Sequence, residues 1–241
     1  GGRSRMKTST LDQILRDQEA KTPFALATEL ATGDQALIYY DSAAGSLADN
    51  PEILAAARRA IQDDKTGTVK LDAGEIYFQT FNPPLRMLIV GAVHIAQPLS
   101  RMASVVGYDV TVVDPRQSFA SPERFPGISL NHEWPDDGLR ELDIDRRTAV
   151  VTLTHDPKLD DPALGVAIRS EAFYIGSLGS RGTHAGRVER LKGEGFTEAE
   201  ISRINGPVGL RIGAISPAEI AVSILGEVTD HLHAKEKKAA V

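Results

Sequence analysis

The sequence contains no cysteine among its 241 residues. This absence excludes disulfide bonds, thiolate ligands for a metal, a cysteine nucleophile and a persulfide carried on the chain itself. Sulfur chemistry that involves this protein would therefore have to use the cysteine of a partner.

Long apolar runs and basic runs are lacking as well. No stretch reaches the roughly twenty apolar residues that a membrane span requires, and no secretory signal pattern opens the chain. The 33 acidic residues outnumber the 27 basic ones, and no basic run precedes residues 235–238. We therefore expect a cytoplasmic protein that spans no membrane and binds no nucleic acid.

The chain has enough apolar residues for a substantial core. They make up 41% of the sequence, which suits one large domain or two modest ones. Residues 1–5 precede Met6 and are typical of residues left by an expression vector. The paired prolines after Asn82 neither continue a strand ladder nor enter a helix. We therefore predict a small N-terminal α+β domain over residues 6–82 and a second domain over residues 85–234.

The N-terminal domain shows signals for helices and hairpins. Glycine-containing turns at residues 32–34 and 72–74 each lie between two strand-like segments, which predicts two hairpins. Asn50 followed by Pro51 is typical of a helix start with an asparagine cap. A short amphipathic helix is predicted from Thr10 onward.

The second domain is organised around residues 86–114. An apolar strand is predicted at residues 87–90 and ends at Gly91, a helix follows at 97–106, and a second strand at 110–113 ends at Asp114. This layout is typical of a dinucleotide-binding unit, in which phosphates meet a helix N-terminus and a carboxylate meets a ribose hydroxyl. Val93 occupies the position of the second glycine, and its Cβ hinders close approach of a pyrophosphate.

Strands and helices continue to alternate after an ordered loop predicted at residues 115–135. Strands are predicted at 149–153 and 172–175, and helices from Asp161 and at 183–192. Capping boxes that begin at Thr197 and Ser216 predict two more helices, the last of which docks on the sheet. The pattern is that of an α/β fold with a parallel sheet.

Candidate site residues lie where the predicted strands end. In an open parallel sheet, ligands bind beyond the carboxyl ends of the strands. The cofactor-binding candidates are Gly91, Ala92, Val93, His94, Ile95, Asp114, Arg116, Gly176, Gly179, Ser180 and Arg181, and the catalytic candidates are His94, His155 and Asp156.

Each cluster also has a simpler interpretation. The turn after Gly91 could be an ordinary connection, Asp114 could pair with Arg116 on the surface, and the loop at 176–181 could merely need glycine rather than cradle an anion. The histidines could relay protons beside Asp156. No pair of them has the local spacing of a metal site, so we expect no metal.

Five ordered blocks resemble the XdhC/CoxI family, whose members are accessory proteins that mature molybdenum hydroxylases such as xanthine dehydrogenase and carbon monoxide dehydrogenase. The blocks are LIVGAVHIAQ at 88–97, YDVTVVDPR at 108–116, THDPKLD at 154–160, FYIGSLGSR at 173–181 and GLRIGAISPAEIAVS at 209–223. The chain departs from the family pattern at Val93, where many members have glycine, and in lacking the N-terminal cysteine of longer members.

The resemblance implies a Rossmann-like parallel sheet flanked by helices. It also implies that the protein binds molybdenum cofactor, as molybdopterin dinucleotide, and delivers it to an apo molybdenum hydroxylase in transient contact. Expected further partners are a cysteine desulfurase and a second copy in a homodimer. The residues that match family blocks are Gly91, His94, Asp114, Arg116, His155, Asp156, Gly179, Ser180 and Arg181.

The leading functional interpretation is therefore a maturation factor that acts as a cofactor-insertion chaperone rather than as a turnover enzyme. One alternative is an oxidoreductase that uses FAD or NAD(P), with His94 or His155 as acid or base. Another is a protein-interaction scaffold with a vestigial nucleotide site.

Overall fold

The computed structural model describes residues 8–234, and the chain divides into two compact units between Pro83 and Pro84. The segment interpreted as a vector remnant and the basic run at residues 235–238 lie outside the described residues. None of the helices within residues 8–234 has the length and apolar character needed to cross a membrane.

The first unit is a five-stranded antiparallel sheet with strand order β3-β2-β1-β5-β4. Its elements are α1 (Thr8–Glu19), β1 (Phe24–Glu29), β2 (Gln35–Ile38), β3 (Ala43–Gly45), α2 (Pro51–Asp63), β4 (Gly67–Leu71) and β5 (Gly74–Phe81).

Side chains of β1 alternate between the two helices of this unit. Ala25 and Ala27 belong to the cluster under α2, whereas Phe24 and Leu26 pack with Ile14 of α1. Both predicted hairpins are present, and the Asn50 side chain caps α2 as expected.

The second unit is a six-stranded parallel sheet flanked by helices, which confirms the predicted fold class. The strands are β6 (Arg86–Val90), β7 (Asp109–Val113), β8 (Ser129–Asn131), β9 (Thr148–Thr152), β10 (Tyr174–Ser177) and β11 (Ile204–Asn205). The helices are α3 (Ala96–Val105), α4 (Pro135–Glu141), α5 (Pro157–Arg169), α6 (Arg181–Gly193), α7 (Glu198–Ile201) and α8 (Pro217–Leu232).

The strand order β11-β10-β9-β6-β7-β8 contains a switch point between β6 and β9. The chain builds the sheet outward from β6 through β7 to β8, then crosses back and builds outward on the other side from β9. Ile89 of β6 accordingly pairs in register with Val112 of β7 and Val151 of β9. A crevice at the carboxyl ends of the two strands at a switch point is where doubly wound folds bind ligands.

The helices form two layers because successive strand side chains point to opposite faces. Met87 and Ile89 pack in a cluster with residues of α3 and α8. Leu88 and Val90 pack in the other cluster, with residues of α4, α5, α6 and α7.

The C-terminal helix α8 is held to the sheet through a polar contact as well. The Tyr174 hydroxyl donates to the carboxylate of Glu227, which also accepts the backbone N–H of Gly209 at 2.9 Å. Both capping boxes predicted for the last two helices are present.

Three predicted boundaries in this unit were wrong, and one of them is that of β10, which lies at Tyr174–Ser177 rather than at residues 172–175. Residues 115–135 are not only a loop, because they contain the short edge strand β8 and lead into α4. Helix α5 begins at Pro157 rather than after Asp161, since the Asp156 carboxylate accepts the Lys158 N–H at 2.9 Å and caps the helix earlier. Pro162 then lies inside the helix.

The glycine that follows β6 is required by Thr154, which lies in the segment after β9. Gly91 has φ +105°, and a Cβ there would lie 2.4 Å from Cγ2 of Thr154. Thr154 cannot rotate freely, because its hydroxyl donates to Asp160 at 2.7 Å and accepts the Asp156 N–H at 3.0 Å. Gly107 has a similar φ of +97° with open space around it.

We expect Gly91→Ala to lower the free energy of unfolding more than Gly107→Ala. Both variants force alanine into a left-handed conformation, which costs roughly 1–2 kcal/mol. Only Gly91→Ala adds overpacking, which costs a further 1–3 kcal/mol or so. Urea denaturation measures both, and equal losses would show that the contact with Thr154 is unimportant.

Candidate functional site

The carboxyl edge of the parallel sheet brings four polar segments together. They follow β6 at residues 91–95, β7 at 114–116, β9 at 154–156 and β10 at 178–181. Because β6 and β9 are neighbours, the first and third of these segments flank the switch point.

Asp114 connects the ends of β6 and β7. Its side chain is fully buried, and Oδ2 accepts the Ala92 N–H at 2.8 Å. Arg116 supplies three more donors, its backbone N–H at 2.9 Å, Nε at 2.8 Å and Nη2 at 2.7 Å. A carboxylate has about four acceptor positions, so those of Asp114 are filled. A ribose hydroxyl could bind it only by displacing Arg116.

The charges of this pair stabilise each other. Burial alone would raise the pKa of Asp114, but the hydrogen bonds from Arg116 and Ala92 outweigh it and lower that pKa. The hydrogen bond with Asp114 raises the pKa of Arg116, and the charges of Asp156 and Asp160 add to this effect. Arg116 therefore interacts electrostatically with the segment after β9 as well.

The turn after β6 offers little to a phosphate. The Ala92 amide is already used by Asp114, and Val93 and Ile95 pack against the hydrophobic cluster that contains Ala96 of α3. His94 is exposed. Within this turn, His94 is the residue whose side chain is best placed to meet a ligand.

The segment after β9 is organised by a residue that was not a sequence candidate, Asp160. Its carboxylate is buried and accepts the Thr154 hydroxyl at 2.7 Å and the His155 N–H at 3.1 Å. These bonds hold His155 at φ +63°, an uncommon conformation for a residue other than glycine. The His155 side chain is exposed, and Asp156 caps α5.

Burial raises the pKa of Asp160, and the hydrogen bonds from Thr154 and His155 and the charge of Arg187 oppose this effect. The interior therefore favours the protonated carboxyl more than water does.

The candidate cluster at residues 176–181 divides into a buried part within β10 and an exposed part after it. Gly176 lies within β10, where it pairs with both neighbouring strands, and a Cβ there would lie 2.5 Å from Val208. Gly179 has φ +147° at the turn, the Ser180 hydroxyl caps α6 by accepting the Thr183 N–H at 3.1 Å, and Arg181 is exposed. Gly176 is thus separated from the exposed residues of this cluster.

Arg187 is the second residue that sequence reasoning missed. It is 2% exposed, its Nη2 donates to the Leu178 carbonyl at 3.0 Å, and burial lowers its pKa. It lies four residues before buried Leu191 on α6, so both share the face that packs inward. A basic residue in register with the apolar face of a helix is the signal that could have identified it.

Within residues 8–234, no group of three or more histidine, aspartate or glutamate side chains is arranged to hold a metal ion. His94 and His155 follow adjacent strands. His184 instead lies on α6 and packs against Gly206, since a Cβ added to Gly206 would lie 2.2 Å from the Nδ1 atom of His184.

We expect Asp114→Asn to lower the free energy of unfolding by about 2–3 kcal/mol at neutral pH. This loss of unfolding free energy is smaller than for a fully buried pair, because the Arg116 side chain is 37% exposed and can hydrogen-bond to water once Asp114 is neutralised. Since the folded-state pKa of Asp114 is lowered, this stabilisation is present above pH ~4 and is lost as the pH falls through the folded-state pKa. The difference between wild type and variant should therefore shrink in acid.

The matched control is Asp137→Asn, which removes a carboxylate from an exposed pair with Arg140. Such pairs contribute about 0–1 kcal/mol. Urea denaturation from pH 7 to pH 3 measures both variants, and a similar loss for the two would contradict the structural role assigned to Asp114.

Comparison with known proteins agrees with the observed fold. Residues 87–228 match the family described as the XdhC Rossmann domain. The chain is 32% identical over 157 residues to the molybdenum cofactor insertion chaperone PaoD of Escherichia coli (strain K12), covering 65% of this chain and 43% of PaoD. It is 32% identical over 154 residues to a probable xanthine dehydrogenase subunit from Bacillus subtilis (strain 168), covering 64% of this chain and 44% of that protein.

The fold is also similar to the crystal structure of a xanthine dehydrogenase from Bacillus halodurans, with a TM-score of 0.74 and 25% sequence identity over 96% of this chain and 68% of that one. The chain spans less than half the length of the curated relatives it matches. The family match covers more than half of the chain and includes the segments at the carboxyl edge. The resemblance seen in the five sequence blocks is therefore confirmed, and the protein belongs to the XdhC family.

Proposed function

We propose that this protein assists the maturation of a xanthine dehydrogenase-type molybdenum enzyme by holding molybdopterin dinucleotide as cargo. The observation that carries the proposal is the switch point between β6 and β9, whose two segments lie at the edge where doubly wound sheets bind dinucleotides. The name of PaoD, a molybdenum cofactor insertion chaperone that is 32% identical to this chain, supports the same cargo.

The ligand would lie across the switch point, from His94 after β6 to the β9 and β10 side of the edge. The usual pyrophosphate position, against the turn after β6, lacks the second glycine because Val93 occupies it, and it has lost the Ala92 amide to Asp114. Exposed polar side chains are instead offered by His94, His155 and Arg181. These residues would contact the cargo, while Asp114 and Arg116 keep the edge rigid.

A holding role suits these residues better than acid–base turnover. Asp156, the carboxylate next to His155 in sequence, accepts the Lys158 N–H and caps α5. Because the Asp156 carboxylate caps α5, it does not orient His155 as a catalytic base. The exposed His155 side chain can still bind a ligand. The apo molybdenum hydroxylase would be a transient partner, and any sulfur would come from a cysteine desulfurase, since this chain has no cysteine.

The test is a set of titrations of the purified protein with molybdopterin dinucleotide, FAD and NADP⁺, followed by reconstitution of an apo molybdenum hydroxylase. We expect tight binding of molybdopterin dinucleotide and faster recovery of hydroxylase activity when the loaded protein supplies it. Binding of FAD or NADP⁺ alone would favour an oxidoreductase. If no dinucleotide binds and recovery is unchanged, the proposal is wrong.

We expect Arg181→Ala to weaken binding of molybdopterin dinucleotide about tenfold, because a hydrogen bond to a charged group contributes roughly 1.5–3 kcal/mol and less when it is exposed. Lys192→Ala is the matched control. It removes a cation from the same helix more than ten residues away, or roughly 15 Å along its axis. Calorimetric titration measures both affinities. Equal affinities of the two variants would show that Arg181 does not contact the cargo.

A further inference from the structure

A small cavity lies between the starts of α5 and α6. Its volume is about 200 Å³, and its walls include His155, Pro157, Asp160, Gly182, Gly186 and Arg187. Pockets that enclose drug-sized ligands measure roughly 300–1,000 Å³, so this one suits a small group rather than a whole dinucleotide.

Arg187 brings two unsatisfied hydrogen-bond donors to this cavity. Its side chain is 2% exposed, and its Nε and Nη1 atoms are buried without a hydrogen-bond partner among the described residues. The nearest carboxylate oxygen, Oδ2 of Asp160, lies 3.9 Å from Nη2, beyond hydrogen-bond distance. A buried donor without an acceptor is costly, and a buried cation more so.

The two carboxylates in the cavity wall are already occupied. Asp161 accepts two hydrogen bonds from Arg190, from Nε at 2.5 Å and Nη2 at 3.1 Å. Asp160 accepts from Thr154 and His155. Neither carboxylate therefore supplies the acceptor that Arg187 lacks.

The cavity stays open because the first two turns of α6 carry glycine at positions 182 and 186. A Cβ at Gly182 would come no closer than 3.7 Å to Ser180 Oγ, and one at Gly186 no closer than 3.5 Å to Arg190 Nη1. Alanine would fit at both positions and would favour the helix, since glycine is the poorer helix former. The unpaired amides and the dipole at the start of a helix favour an anion in the space that remains.

We propose that this cavity binds one phosphoryl group, held by Arg187 and the N-terminal turn of α6. The shared chemistry is a tetrahedral oxyanion, which comes from inorganic phosphate or from a larger phosphate ester. A dinucleotide as its natural source rests on the proposed function, whereas binding of inorganic phosphate does not.

The experiment is a calorimetric titration of the full chain with inorganic phosphate, and in a second arm with ADP. We expect one phosphate to bind per chain at millimolar concentration and to raise the melting temperature. If ADP binds and competes with phosphate, the site takes the phosphoryl group of a larger ligand. If phosphate alone binds, the site takes the free ion.

Two variants and two controls test whether phosphate binds in this cavity. Arg187→Met should weaken phosphate affinity at least about tenfold, as expected for a lost charge-assisted contact. Gly182→Ala combined with Gly186→Ala should weaken it as well while raising the melting temperature, because added methyl groups fill the cavity and favour the helix. Lys192→Met and Gly193→Ala, at the far end of α6, should leave affinity unchanged.

Absence of phosphate binding to the wild type would overturn the proposal, as would an unchanged affinity in Arg187→Met. If Arg187→Met does not fold, the double alanine variant decides, and an unchanged affinity there overturns it. Phosphate binding without affinity for molybdopterin dinucleotide would contradict the proposed function and still support the cavity. Binding of molybdopterin dinucleotide without binding of phosphate would overturn the proposal for the cavity and leave the proposed function standing.

Discussion

The buried carboxylate of Asp114 is the interaction on which the carboxyl edge depends. A charge without solvent is tolerated only when it is paired and fully hydrogen-bonded, and here an amide from the turn after β6 and the donors of Arg116 meet that requirement. The same bonds fix the position of that turn relative to β7. The residue type expected to bind a ribose in a dinucleotide fold thus serves as an internal support in this protein.

The hydrogen bonds of Asp114 with Arg116 and the Ala92 amide make the two sides of the carboxyl edge different. On the β6 and β7 side, Val93 and Ile95 pack against the core, and the Ala92 amide, Asp114 and Arg116 are hydrogen-bonded to one another. On the β9 and β10 side, a histidine is held in a left-handed conformation, an arginine is buried with unused donors, and glycines leave space along a helix. For that reason both proposals place most of the ligand contacts on this second side.

Sequence reasoning recovered the fold where a local signal was strong and failed where it was not. The apolar strands of the sheet and the capping boxes at Thr197 and Ser216 each have a short-range cause that can be recognised in the sequence. Strand β8 has three residues and owes its conformation to pairing with β7, which a local pattern does not reveal. The start of α5 was misplaced because two prolines compete for the first helical position.

The residues of the candidate site likewise divide into those with a local sequence signal and those without one. The exposed residues His94, His155 and Arg181 could be nominated because strand ends are visible in the sequence. Asp160 has no such signal and Arg187 has only its register with the apolar face of α6, since the importance of both comes from burial next to each other across two helices. Whether an acidic side chain such as Asp114 faces a ligand or the protein interior is decided by tertiary contacts alone.

The contact between Tyr174 and Glu227 has a consequence for how the protein is made. These residues are 53 positions apart, and Glu227 also fixes the loop at Gly209. Helix α8, which carries Glu227, packs against α3 near the beginning of the parallel sheet. Domains fold as units during synthesis, and contacts between distant residues form late. Helix α8 must therefore emerge from the ribosome before its contacts with α3 and β10 can form, so the second unit is completed only after the chain has been translated as far as Leu232.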